Sequence, residues 1–319
     1  MKNLKTVIIT GANSGIGKAA TRRFASEGHT VIMACRNLEK GRPVRDRLAK
    51  DTGNDRVYLE QVDMGSFESI REFCGRFHEK YKKLDILIHN AAYFNHGAPY
   101  MQSTDGIELT FATNVIGPFL MSMLIRELLT ESEDGRILHA GSNIIKHFLN
   151  PNKEIRFDHL QKEPKNPRDH SVYVNYRDSK MALLMLTFSM AKEFADDGIK
   201  TYSLQINGAT MSKEALMKVK PHWRIIARIQ NLFFRPPEFT ANLYYEICTS
   251  DKLREKSGVY FNHKLEEMQP AKTGAGIITD IKQGLGADVY PAYALNEEVS
   301  EKVWNICKEL TQVHFKVNR

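Results

Sequence analysis

The chain has 319 residues, room for one large domain or two small ones at roughly 100–200 residues each. Hydrophobic residues at 42% and charged residues at 26% exclude a disordered or fibrous chain and allow a sizeable buried core. The net charge of +7 is interleaved with acids and contains no run of five like charges, so it describes a basic surface and not a nucleic-acid-binding stripe.

Taken in chain order, residues 1–5 lack the features of a signal peptide, because the apolar run 7–9 leads straight into a glycine-rich turn. Short apolar runs at 6–9, 30–34, 57–62, 84–88, 136–140 and 201–206 read as strands. Helical spacing at 15–27, 38–50, 66–80, 105–130 and 176–196 separates them. This alternation predicts a single doubly wound α/β domain, a Rossmann-type parallel sheet with helices on both faces. Three prolines and dense charge at 151–169 read as a surface excursion. Residues 212–237 are irregular, basic and apolar, and end in Pro-Pro, which suits a substrate lid. Four glycines at 271–292 predict a long loop or local disorder, and 296–313 read as one amphipathic helix. One domain is therefore expected over 1–319, with a lid near 212–237 and a C-terminal extension at 271–319.

The longest uncharged apolar stretch, Met181 to Ala191, is too short to cross a bilayer, so a soluble protein is expected. The four cysteines lie far apart with no Cys-x-x-Cys pair, which favours a reducing compartment such as the cytoplasm and no metal site.

The first strand runs into Thr10-Gly11-Ala12-Asn13-Ser14-Gly15-Ile16-Gly17 and then a helix. Glycines let such a loop turn tightly and approach a pyrophosphate, while the helix N-terminus supplies partial positive charge. The second strand ends Ala34-Cys35-Arg36, with a thiol where an acid would bind the ribose 2′-hydroxyl of NAD. The guanidinium beside it suits the 2′-phosphate of NADP, since its planar fork can donate two parallel bonds. Tyr176 and Lys180 stand four apart on a helical segment, hence on one face. An ammonium held near a phenol favours the phenolate, the tuning that acid–base catalysis needs.

As an ordered set these residues resemble the short-chain dehydrogenase/reductase family. The matching elements are residues 10–17, Asp63, His89-Asn90-Ala91-Ala92, Asn114, Ser142 and the Tyr176/Lys180 pair. More narrowly, Ala34-Cys35-Arg36, Phe157-Asp158-His159-Leu160 and residues 257–261 resemble its retinol-dehydrogenase-like branch. The resemblance implies that Gly11, Ser14, Gly15, Ile16 and Gly17 border the pyrophosphate and that Arg36 meets the 2′-phosphate. It implies that Asp63 and Met64 bracket the adenine and that Asn90 and Ala91 line the nicotinamide-side ribose. Tyr176 would pass the proton and Lys180 would hold the ribose and lower the tyrosine pKa. Ser142 would bond the carbonyl oxygen, and Asn114 would anchor a water in the proton relay.

Read singly, Asp63 suits a cap for the helix near Ser66, Asn114 a buried structural amide and Ser142 a turn. Read in series, they take the family roles. The expected function is NADP(H)-dependent hydride transfer with a lipophilic carbonyl or alcohol. Peripheral membrane contact and a homo-oligomer stay open. The sequence departs from the family pattern at Ala92, His139, Gly141 and Ser212, and most clearly at Asn207-Gly208, where the family has Pro-Gly. That departure keeps a second reading alive, a catalytically silent NADP-binding regulatory or scaffold protein.

Overall fold

Seven strands organise this computed structural model, which describes residues 4–95, 98–166, 169–211, 216–217, 224, 231, 234–272, 286 and 288–313. They are β1 (Thr6–Thr10), β2 (Thr30–Cys35), β3 (Val57–Gln61), β4 (Ile86–His89), β5 (Arg136–Ala140), β6 (Lys200–Leu204) and β7 (Val259–Phe261). All pair parallel in the order β3-β2-β1-β4-β5-β6-β7, with Ile8 level with Ile32 on one side and Leu87 on the other. The expected doubly wound α/β sheet is the one observed.

The helices are α1 (Gly15–Ser26), α2 (Leu38–Thr52), α3 (Phe67–Lys80), α4 (Leu109–Phe111), α5 (Gly117–Leu124), α6 (Arg126–Thr130), α7 (Val172–Glu193), α8 (Pro237–Thr249) and α9 (Glu297–Thr311). Because strand side chains alternate, Val7 and Ile9 pack into the layer of α1, α2 and α8, while Ile8 packs into that of α3, α5, α7 and α9. Burial on both faces explains why the strands read as continuous apolar runs. None of the helices among the described residues is long and apolar enough to cross a membrane.

The structure corrects several expected elements. The helix expected over 105–130 is broken. Gly106 turns with φ +74°, Glu108 caps the Phe111 N–H, and a π-helical turn at Ala112–Ile116 precedes α5. The helix expected from 176 begins at Val172, where the Ser171 hydroxyl accepts from the Val174 N–H. Helix α8 and strand β7 were not anticipated. Within the loop expected at 271–292, strand β9 (Val289–Tyr290) pairs with β8 (Gln269–Pro270); residues 273–285 and 287 lie outside the described set. Most of the lid segment 212–237, Trp223 and Phe233 included, also lies outside it.

Strand order reverses between β1 and β4: the chain builds β2 and β3 on one side of β1, then starts β4 on the other. At such a switch point the loops leaving the strand ends diverge and open a crevice. The loops after β1 and β4 carry Gly11–Gly17 and Asn90–Ala92.

Candidate active site

Three glycines shape the first wall. Gly11 adopts φ +65° and donates its N–H to the Ala34 carbonyl at 2.9 Å. A methyl on Gly11 would stand 3.0 Å from the Ala91 Cα, and one on Gly17 would stand 2.5 Å from the Asn90 amide and closer still to the Gly11 carbonyl. Gly15 differs: a methyl there would meet nothing within 4 Å. The loop is thus packed tight at Gly11 and Gly17 and left open at Gly15, where α1 starts. Ser14 occupies the N-cap position but makes no side-chain cap bond, and both Ser14 and Gly15 are exposed. Ile16 is half-buried beside them. An uncapped helix start facing open space fits a pyrophosphate.

The loop is held from behind by side-chain contacts that the spacing of the sequence does not reveal, that of Tyr244 among them. The Thr10 hydroxyl accepts the Asn90 and Ala91 N–H groups at 3.0 Å each, and the Asn90 amide returns a bond to the Thr10 carbonyl at 3.0 Å. The buried Tyr244 hydroxyl donates to Asn90 Oδ1 at 3.4 Å. The Cys35 thiol accepts backbone bonds from Ala12 and Asn13, and burial pushes its pKa up to about 11. The residue standing where an acid might bind the ribose is therefore spent on loop geometry.

Arg36 projects into solvent and faces Asp63, whose Oδ2 lies 4.0 Å from its Nη1. This is a long, exposed pair of the kind that contributes little. Asp63 is not the cap of α3: Ser66 caps it, and Asp63 Oδ1 accepts the Gly65 N–H at 2.9 Å. Met64 is buried among core residues, so its side chain offers no open surface beside Asp63.

On the other side of the crevice, α7 brings Tyr176 and Lys180 to the end of β5. Ser142 follows β5, and its side chain is near enough to the Tyr176 phenol to lower the phenol's pKa. Its hydroxyl oxygen also accepts the Ile144 N–H at 3.3 Å, so Ser142 caps the short 3₁₀ turn as well. Lys180 is buried and donates to the Ala140 carbonyl at 2.8 Å, with its Nζ 5.6 Å from the Tyr176 ring centre. Burial lowers the Lys180 pKa to about 8. Burial raises the Tyr176 phenol above its ordinary value, and the Ser142 side chain works against it.

Asn114 sits in the π-helical turn, where Oδ1 accepts the Tyr93 N–H at 2.7 Å and Nδ2 donates to Ser179 Oγ at 3.0 Å. It ties the β4 loop to the helix bearing Tyr176. Phe94, next along that loop, lays its exposed ring 4.7 Å from the Tyr176 ring. Asn207, at the departure from Pro-Gly, accepts from the Gln205 amide at 3.1 Å, and Gly208 packs under the Phe234 ring.

The short chain dehydrogenase family matches residues 5–149. Mouse retinol dehydrogenase 12 is 31% identical over 312 residues, covering 98% of this chain and 88% of its own. The chain belongs to the short-chain dehydrogenase family. It is an oxidoreductase, and it is similar throughout to retinol dehydrogenases. Human retinol dehydrogenase 11 is 31% identical over 258 residues, 81% of this chain and 77% of the relative. Among solved structures, a short chain dehydrogenase from Salmonella enterica serovar Typhi superposes with a TM-score of 0.62 at 21% identity, covering 82% of this chain and 96% of the other. One from Escherichia coli CFT073, complexed with NADPH, gives 0.61 at 21% identity, with the same coverage of each chain. These two likenesses bear on the fold of this short-chain dehydrogenase.

Proposed function

We propose that the protein is an NADP(H)-dependent reductase of lipophilic carbonyl compounds, able to run as an alcohol dehydrogenase in reverse. The observation that carries this reading is the close set at the end of β5, where the Lys180 Nζ stands 5.6 Å from the Tyr176 ring centre and donates to the Ala140 carbonyl two residues before Ser142. When bound, the nicotinamide supplies or takes the hydride. Everything else falls to the chain. A phenol held above its ordinary pKa is protonated at neutral pH, which suits Tyr176 to donate a proton to a carbonyl oxygen. The Ser142 hydroxyl, near the phenol, can bond the same oxygen as charge develops on it. The Lys180 ammonium keeps its charge below about pH 8, close enough to meet a ribose hydroxyl in front of α7. Asn114 would anchor a water behind it.

Gly11, Ser14, Gly15, Ile16 and Gly17 would border the pyrophosphate, supported by the uncapped start of α1. Asn90 and Ala91 would line the nicotinamide-side ribose, fixed by Thr10. Asp63 and Met64 would border the adenine, Met64 without an open side-chain surface. The lipophilic substrate class follows from the likeness to retinol dehydrogenases and from exposed Phe94 beside Tyr176. The intact Ser142, Tyr176 and Lys180 set favours turnover over a silent binding role. Four buried, unpaired cysteines support a reducing compartment such as the cytoplasm.

The cofactor choice rests on Arg36. NADPH should bind at least about tenfold more tightly than NADH, and Arg36→Ala should remove most of that preference, a loss of about 1.5–3 kcal/mol for a charge-assisted bond. The Asp63 carboxylate is too exposed and distant to cancel it. Titration of both cofactors by protein fluorescence checks this, and equal dissociation constants in the unaltered protein contradict it.

A further inference from the structure

Tyr260 sits on the last strand of the sheet, two strands away from the Ser142 end of β5. Parallel neighbours lie about 4.8 Å apart, so the side chain must reach across β6 to touch that end. It does. Tyr260 is level with Ser203 on β6, which is level with His139 on β5, and its ring crosses this row to lie against Gly141. A methyl on Gly141 would stand 2.8 Å from the Tyr260 ring edge and 2.8 Å from Ser203 Oγ. The glycine at 141 and the small Ser203 therefore leave the passage that the ring fills.

At the far end of that passage the Tyr260 hydroxyl donates to the Ser142 carbonyl at 3.2 Å. The ring is fixed from its other side by the edge of Tyr290, with centroids 6.1 Å apart at 72°. Tyr260 is 1% exposed, and burial drives its pKa up, so the hydroxyl keeps its proton and stays a donor. The main chain of Ser142 is thus pinned by a buried donor from the edge strand two places away, while its side chain lies by Tyr176.

We propose that Tyr260 is a positioning residue for Ser142, setting where the serine hydroxyl stands relative to Tyr176. This rests on the role given to Ser142 above. Gly141, which departs from the family pattern, is then the space that admits the ring.

The test is a double-mutant cycle on turnover, with NADPH oxidation followed using decanal as substrate. Tyr260→Phe keeps the ring and its packing and removes only the donor. It should lower kcat by about tenfold, the size of one neutral hydrogen bond, with the KM for NADPH unchanged and the melting temperature within a few degrees of the unaltered protein. In a Ser142→Ala background the same change should alter kcat by less than about twofold, because the group it positions is gone. Unchanged turnover in Tyr260→Phe, with Ser142→Ala impaired, overturns the proposal alone. An equal fall in both backgrounds also overturns it, by showing that Tyr260 acts elsewhere. Full turnover in Ser142→Ala overturns the reading of Ser142 and this inference with it.

Discussion

His89 and His139 lie level on β4 and β5 with their rings stacked 5.2 Å apart. Each uses one ring nitrogen, His89 with Ser122 Oγ at 2.8 Å and His139 with Thr187 Oγ1 at 2.9 Å, and leaves the other buried without a partner. Burial holds both neutral. It lowers His139 to about 3, with the Lys180 charge adding to the effect, and lowers His89 well below its ordinary value, with His139 adding. An unfolded chain takes up a proton at each histidine as pH falls through about 6.5, whereas the folded chain does not until far lower. Stability should therefore fall on the acid side of about pH 6.5, by about 1.4 kcal/mol per pH unit for each histidine. Urea unfolding at about pH 7 and about pH 5 measures the slope, and His139→Asn should make it shallower. An identical slope in that variant would show that His139 already carries a proton in the fold.

Among the elements, the glycine-rich loop makes the sharpest demand on its sequence. Gly17→Ala should destabilise by about 1–3 kcal/mol and weaken NADPH binding at least about tenfold, because the new methyl collides with the Gly11 carbonyl and the Asn90 amide. Gly75 in α3 has open space instead, so Gly75→Ala should stabilise by about 0.5–1 kcal/mol through helix propensity. Thermal melts of the two variants should move in opposite directions; a shared direction would mean that the loop tolerates the methyl.

The same loop was legible in the sequence because its glycines are local, and so were the apolar strands buried on both faces. Helix α8 was not, since Pro236-Pro237 reads as a stop although proline at the first helical position is well suited to start one. The run 105–130 has a continuous helical pattern, and its interruption depends on the Glu108 cap and on Asn114 reaching Tyr93, contacts that spacing does not reveal. Strand β7 has only three residues. The contacts of Tyr260 and Tyr244 gave no signal because they reach residues more than a hundred positions away.

At the scale of the whole molecule, the sheet gathers two kinds of surface at the ends of β1, β2, β4 and β5. The glycine loop and Arg36 offer polar contacts, while exposed Phe94 and Tyr173 lie beside Tyr176. Phe94 does so by ring contact and Tyr173 by its place one turn earlier on α7. A mouth of this kind rewards apolar length, at about 0.8 kcal/mol per methylene buried. Across linear aldehydes from butanal to dodecanal, kcat/KM should climb until the pocket is full. A flat or falling series would remove the lipophilic substrate class while leaving the reaction type intact.

The central claim is that Tyr176 passes the proton, and the most direct measurement is the turnover of Tyr176→Phe set beside its NADPH affinity. The substitution keeps the ring and its contact with Phe94 but removes the phenol hydroxyl. Turnover should fall at least about 100-fold, the lower range for a lost general acid, with NADPH affinity nearly unchanged. Near-normal turnover accompanied by collapsed cofactor affinity would make Tyr176 a binding residue and contradict the account.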